Sequence, residues 1–261
     1  MSVLLYEVRD RTAYITLNRP EQRNALNQEL TDALIEALTD VRENPDVWVA
    51  IISGAGDIAF CAGADLKRME KRTGIAPEQP QKRSDKGAND LYQFIRHTYK
   101  PVIAAINGYA LAGGAGVALS CDIRIMSDRA HLGWPHANRG ISSISGPALL
   151  AHMVPINKAL EIEYYAEHID AQQALDLGLA NAVVAHEQLM EAAEASAAKI
   201  KSNSPASLRH IKEVAIRGLE MSMDDRISLA IEFHRRCLQT EDAQEGLRAF
   251  AEKRDPVWTG S

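Results

Sequence analysis

The sequence predicts an α/β chain of repeated strand-strand-helix units followed by a helical C-terminal region. Three observations carry this reading: buried apolar strands recur just before small-residue loops, helix-compatible segments follow those loops, and from about Ser145 the pattern is helical almost to the end. At 261 residues the chain is long enough to bury a full core.

Alternation in Leu4-Leu-Tyr-Glu-Val-Arg9 and Ala13-Tyr-Ile-Thr-Leu17 marks two short strands separated by an Asp10-Arg11 turn. Asn27 opens an amphipathic helix with Leu30, Leu34, Ala37, Leu38 and Val41 on one face. Val49–Ser53 reads as a buried strand, Gly54–Leu66 as a small-residue loop, and the region around Lys86–Tyr99 as a helix. Val102–Ile106, a glycine loop and Asp122–Ser127 give a further strand, helix and strand. Thr73–Lys86 contains Gly74, Pro77 and Pro80 among polar side chains and reads as a surface loop. Helices then follow over Gly146–Val154, Ile156–Glu167 and Ala171–Leu177, the last stopped by Gly178. A short strand, Asn181–Val184, precedes helices over Leu189–Lys201, from Ser204 as cap with Pro205 in first position, over Ser222–Leu238 and over Ala243–Lys253. The expected division is a core over 1–200 and a helical region over 201–261 that packs on the core or on a neighbouring subunit.

A formal charge of −6 with 25% charged residues, and no run of five Lys or Arg, gives no nucleic-acid footprint. Three widely spaced cysteines, Cys61, Cys121 and Cys237, fit reduced thiols rather than a disulfide framework. The histidines show no ligand spacing, so no metal site is expected. Pro101–Cys121 carries no charge, but Pro101, Asn107, Ser120 and four glycines break it into strand, turn and helix, which argues against a membrane span. With no secretory pattern at Met1–Asp10, the expected location is the cytoplasm.

Chemistry concentrates in two loops. In Ile106–Asp122 an apolar strand breaks at Asn107-Gly108 and runs through Gly113 and Gly114 into a helix, whose first-turn amides have no partner within the helix. The second loop follows Val49–Ser53. Convergence of the Ala64 and Gly113 N–H groups would make a pair of donors for a carbonyl oxygen that gains negative charge. Gly54-Ala-Gly-Asp-Ile-Ala59 also matches a degenerate dinucleotide fingerprint, but Phe60-Cys-Ala-Gly63 interrupts the helix such a fingerprint must open.

Five motifs in order resemble the crotonase superfamily, also called the enoyl-CoA hydratase/isomerase family, over nearly the whole chain. They are Asn18-Arg-Pro-Glu-Gln-Arg-Asn-Ala-Leu-Asn27, Phe60-Cys-Ala-Gly-Ala-Asp-Leu66, Pro101-Val-Ile-Ala-Ala-Ile-Asn-Gly-Tyr-Ala-Leu-Ala-Gly-Gly114, Ala174-Leu-Asp-Leu-Gly-Leu-Ala-Asn181 and the segment Glu241–Trp258. The resemblance implies a crotonase (ClpP-like) fold, a C-terminal trimerisation region and a homo-oligomer, either a trimer or a dimer of trimers. It implies acyl-CoA thioester substrates, with coenzyme A arriving as part of the substrate and no permanently bound cofactor. By position, Ala64 and Gly113 would be the oxyanion donors. Arg23, Ala25, Ala62 and Lys67 would lie along the nucleotide and phosphates, and Phe250 and Lys253 would reach the CoA from the C-terminal helix.

Hydratases of the superfamily carry two glutamates where this chain has Gly116 and His136. Glycine cannot move a proton, so a single general base becomes the economical mechanism. His136, with an ordinary pKa of about 6.5, is the leading candidate. Some β-diketone hydrolases of the superfamily carry a histidine at this position and an aspartate further along, which falls here on or near Ser145. The acidic position of isomerases falls near Ile144. Ser142, Ser143 and Ser145 are candidate nucleophiles or water-orienting groups beside His136. The expected activity is hydratase-like, with C–C or thioester hydrolysis and isomerisation as alternatives, and a non-catalytic acyl-CoA-binding subunit as the reading of another class.

Overall fold

The structure is a computed structural model that describes residues 2–64 and 88–261. Strands β1 (Leu4–Arg9) and β2 (Thr12–Leu17) pair antiparallel across Asp10 and Arg11, which both take positive φ, as a tight hairpin requires. The main sheet runs in the order β1-β2-β3-β5-β7-β10, where β3 is Val49–Gly54, β5 Val102–Ile106, β7 Ile123–Ser127 and β10 Ala182–Val184. From β2 onward every pairing in it is parallel. All five β5 residues are buried because both faces are covered. One face packs against helix α1 (Gln28–Glu43), through residues such as Leu30, Leu34 and Leu38, and the other meets Leu189, Ala193 and Ala197 of a helix at Leu189–Lys201.

The second sheet runs in the order β4-β6-β8-β9, made of Ala59–Cys61, Tyr109–Leu111, His131–Gly133 and His168–Asp170. Strands β3 and β4 precede helix α2 (Ala88–Arg96), and β5 and β6 precede helix α3 (Gly113–Ser120). Each such unit gives one strand to either sheet, and the chain then leaves the second sheet toward its helix. The expected strand-strand-helix repeat is present, but the loop expected at Gly54–Leu66 contains β4, and the glycine loop after β5 contains β6. Strands β4 and β6, three residues each, are too short to show a period in sequence and exist through their partners. The surface loop expected at Thr73–Lys86 lies outside the described residues.

The helix expected over Gly146–Val154 is instead a π turn, Gly146–Leu150, continued by Ala151–Met153, with the Ala151 N–H donating to the Gly146 carbonyl. Helix α4 (Ile156–Tyr165) ends at Ala166 in the left-handed conformation, and α5 (Ala171–Asp176) starts with a capping box of Asp170 and Gln173. Helix α6 (Leu189–Lys201) covers the main sheet as described. Among the described residues no helix is long and apolar enough to cross a membrane.

Helices α7 (Pro205–Arg217), α8 (Met223–Cys237) and α9 (Glu241–Glu252) form the C-terminal region. The Ser204 hydroxyl accepts from the Ser207 N–H at 3.1 Å with Pro205 at the first helical position, as the sequence predicts. Buried Lys212 ties this region to the core, its ammonium donating to Asp122 Oδ2 at 2.8 Å and to the Lys100 carbonyl at 2.9 Å. Asp242 fastens the chain end: its carboxylate accepts from the Thr259 and Gly260 amides at 2.8 and 3.0 Å and from the Ser204 hydroxyl at 2.9 Å. Burial pushes this carboxyl up, but those hydrogen bonds together outweigh it and hold its pKa below the usual value. Its stabilisation is therefore full above the unfolded-state pKa and is lost as pH falls through the folded one. Asp242→Ala, which strands these donors, is expected to cost about 1–3 kcal/mol. A thermal melt at neutral pH with an unchanged midpoint would contradict this.

Candidate active site

A cavity of about 620 Å³ opens where the segments leaving β4 and β6 meet, lined among others by Ala62, Ala64, Ala112 and Gly113. The first loop is shaped by the segment before α1. Buried Asn24 donates to the Ala55 and Ala59 carbonyls at 3.0 and 2.8 Å, and Asn107 donates to those of Gly54 and Gly56 at 3.0 and 2.6 Å. Gly63 follows at φ +88°, a conformation that favours glycine. Its carbonyl accepts from the Leu26 N–H at 2.8 Å, and Leu26 forms an isolated parallel bridge with Ala64. In a trans peptide C=O and N–H point in opposite directions, so this bond turns the Ala64 N–H away from Leu26.

The second loop is fixed in the same way. Ala112, at the strained φ of +53°, donates its N–H to the Gly133 carbonyl at 2.8 Å, while its own carbonyl accepts from the Gly116 N–H at 3.1 Å and the Ser145 hydroxyl at 3.1 Å. That anchors the peptide whose other end is the Gly113 N–H. Neither the Ala64 nor the Gly113 amide donates to a backbone carbonyl among the described residues. The loops touch: a Cβ on Gly63 would lie 2.9 Å from the Gly113 nitrogen. Gly114 packs against β4, where a Cβ would meet the Cys61 carbonyl carbon at 2.7 Å, whereas Gly113 has room for one, with neighbours no nearer than 3.4 Å.

The segment after β8 supplies the facing wall. Trp134 is fully buried and donates its indole N–H to the Ser145 hydroxyl at 3.0 Å, so Ser145 joins Trp134 to the Ala112 carbonyl. Two residues on, His136 lines the cavity, with Nδ1 buried and lacking a hydrogen-bond partner. Burial, then the Arg139 charge, holds its pKa below the ordinary imidazole value. Arg139 is itself oriented by its bond to the Pro135 carbonyl at 2.7 Å. Behind the Ser145 corner, Glu163 Oε1 occupies the place that a Cβ on Gly146 would take, and burial pushes that carboxyl up to about 7.

Of the residues expected at the site, Ala64, Gly113, His136, Ser145, Arg23, Ala25 and Ala62 line this one cavity. Ser143 does not line it. That serine is buried, and its hydroxyl accepts from the Gly146 N–H at 3.0 Å as a turn cap. Phe250 and Lys253 also do not line it; Phe250 is 85% exposed on α9. Lys67 lies outside the described residues. Tyr92, Leu26 and Arg139 line the cavity without having been singled out in sequence. Tyr92 sits between Leu91 and Ile95 on a helix and reads there as core; the one hint is Gly116, whose missing side chain leaves space for it. Cys61 and Cys121 are buried, with thiols pushed up to about 12 by burial, which suits packing and not nucleophilic attack. Among the described residues no group of three His, Cys, Asp or Glu side chains could hold a metal ion.

A family model described as Enoyl-CoA hydratase/isomerase matches residues 7–261. The chain is 34% identical over 252 residues to the short-chain-enoyl-CoA hydratase of Clostridium acetobutylicum, covering 96% of this chain and 95% of that one. It is 35% identical over 258 residues to the (E)-benzylidenesuccinyl-CoA hydratase of Thauera aromatica, covering 98% of both. Among solved structures, an enoyl-CoA hydratase from Polaromonas sp. JS666 superposes with a TM-score of 0.91 at 32% identity, over 98% of this chain and 99% of that one. The enoyl-CoA hydratase of Bacillus anthracis gives 0.87 at 34% identity, over 99% and 100%. Five motifs in order, a two-sheet architecture that matches these structures, and a family model spanning nearly the full length place this chain in the enoyl-CoA hydratase/isomerase family, the crotonase superfamily.

Proposed function

We propose that this protein adds water to, or removes it from, an acyl-CoA thioester, with the Ala64 and Gly113 amides holding the thioester oxygen and His136 moving the proton. The observation that carries the reading is the pair of peptide groups, each anchored through its carbonyl, whose amides donate to no backbone carbonyl among the described residues and belong to residues on the wall of one cavity with His136. Donors fixed before the reaction need no reorganisation when charge develops, which is how such pairs lower a barrier. As water adds to Cβ, electrons move onto the thioester oxygen between the amides. The proton released from water goes to His136, which returns it to Cα when the enolate collapses. A depressed pKa keeps the imidazole neutral and ready to accept.

Ser145 acts here as a positioning residue, since its hydroxyl is committed to Trp134 and the Ala112 carbonyl, and this argues against Ser145 as a nucleophile. Arg23, Ala25 and Ala62 line the side along which the CoA would lie, with Lys67 of the same motif region. Phe250 and Lys253 would contribute from a neighbouring subunit. Leu247 and Phe250, 67% and 85% exposed at helical spacing on α9, support a homo-oligomer.

A panel of enoyl-, β-hydroxyacyl- and β-ketoacyl-CoA substrates, read by mass spectrometry, tests the reading. The expected product is a thioester that has gained or lost one water. Free acid with released CoA would make the protein a hydrolase. Tight binding with no turnover across the panel would make it a binding subunit.

A further inference from the structure

Tyr92 stands on α2 with 6% of its surface exposed, yet it lines the cavity. Its ring occupies the space that a side chain at Gly116 would fill: a Cβ there would come within 2.6 Å of the ring Cε1 and 2.7 Å of the hydroxyl oxygen. The hydroxyl donates to the Gly113 carbonyl at 3.3 Å, and its oxygen would lie 3.4 Å from a Cβ on Gly113. A phenol oxygen both donates and accepts. With its proton directed at Gly113, its lone pairs are left to receive an O–H from the cavity. Burial pushes the phenol up to about 12, with Cys61 reinforcing and the neighbouring Ser145 hydroxyl opposing, so the group stays neutral at physiological pH and cannot itself remove a proton.

We propose that the Tyr92 hydroxyl is a second catalytic group of this site, accepting a hydrogen bond from the reacting water and so holding that water for His136. The inference rests on the water-adding reading above. In that reaction the water has two O–H groups: one proton passes to His136, and the other points at Tyr92 and stays on the oxygen that becomes the β-hydroxyl. In the reverse direction the same contact holds the departing hydroxyl group. Gly116 makes the arrangement possible, because any larger residue there displaces the ring.

Tyr92→Phe keeps the ring over Gly116 and removes only the oxygen. With the best substrate of the panel, kcat is expected to fall about 10-fold or more, the worth of one hydrogen bond formed in the transition state. KM should stay within about 3-fold, and the thermal midpoint should be unchanged. The acid limb of the pH profile, which reports His136, should keep its midpoint. Gly116→Ala, which drives the ring from its place while retaining the hydroxyl, should lower kcat in the native background and add little in a Tyr92→Ala background. A Tyr92→Phe enzyme with native kcat would overturn the proposal. If His136→Ala abolishes turnover while Tyr92→Phe does not affect it, this inference alone falls. If the unaltered protein hydrates or dehydrates nothing in the panel, the functional reading falls and takes this one with it.

Discussion

Gly63→Ala is expected to lower turnover by about 10²- to 10³-fold, the scale of losing one donor from an oxyanion site. Two independent costs meet at this position. The backbone is at φ +88°, which an L side chain rarely adopts, and the added Cβ would lie 2.7 Å from the Leu111 carbonyl oxygen, 2.8 Å from the Ala112 Cβ and 2.9 Å from the Gly113 nitrogen. None of these neighbours is the end of a flexible side chain, so the two loops must part. Their separation moves the Ala64 and Gly113 amides relative to each other, and interactions made mainly in the transition state are the first to suffer. Most of the loss should accordingly appear in kcat, with KM changing far less. Strain and crowding together should also destabilise the fold by about 1–3 kcal/mol. Gly178→Ala separates the two costs, because Gly178 has φ +72° with no atom within 4 Å of an added Cβ. That variant should show the conformational cost in its melting temperature while keeping full turnover. Native turnover in Gly63→Ala would dispose of the oxyanion reading.

The long elements of this fold were legible in the sequence, and the short ones that build the site were not. Strands β3 and β5 announce themselves as apolar runs because each is buried on both faces, and Asn27 and Ser204 mark helix starts through chemistry local to the chain. Strands β4, β6, β8 and β9 have three residues each and owe their existence to partners distant in sequence. The same division runs through the site. Ala64 and Gly113 are marked by the chemistry of their small-residue loops, and His136 by the resemblance. In sequence Ser145 stands out only as a neighbour of His136, yet its hydroxyl donates to the Ala112 carbonyl, more than thirty residues earlier, a contact no local pattern encodes. Tyr92 is hidden for a related reason: an aromatic residue beside Leu91 on an amphipathic helix is indistinguishable from core until its ring, filling the space a side chain at Gly116 would take, is seen to line a cavity.

His136→Ala should reduce turnover by about 10²-fold or more, since no other described lining residue is a histidine, the side chain best suited to exchange a proton at physiological pH. Because the depressed pKa is set by burial and by Arg139, the form of the pH profile follows with a definite sign. A general base must be unprotonated, so kcat/KM should fall on the acid side, with a midpoint below the ordinary imidazole value of about 6.5. Arg139→Gln removes a cation that disfavours imidazolium, and should move that midpoint upward while leaving the His136 ring in place. A hydrogen bond with the Trp134 backbone works the other way, but burial and the Arg139 charge outweigh it. The same depression makes folding stability fall as pH drops below the unfolded-state value and through the folded one, because the folded protein resists the proton that the unfolded chain accepts. Turnover and thermal melts measured over the same pH range on the native protein, His136→Ala and Arg139→Gln therefore constrain one another. The acid limb of turnover and the His136-dependent part of the stability loss must report the same group. An Arg139→Gln profile that fails to shift, or a His136→Ala enzyme that retains the native acid limb, would assign the proton transfer to a different residue.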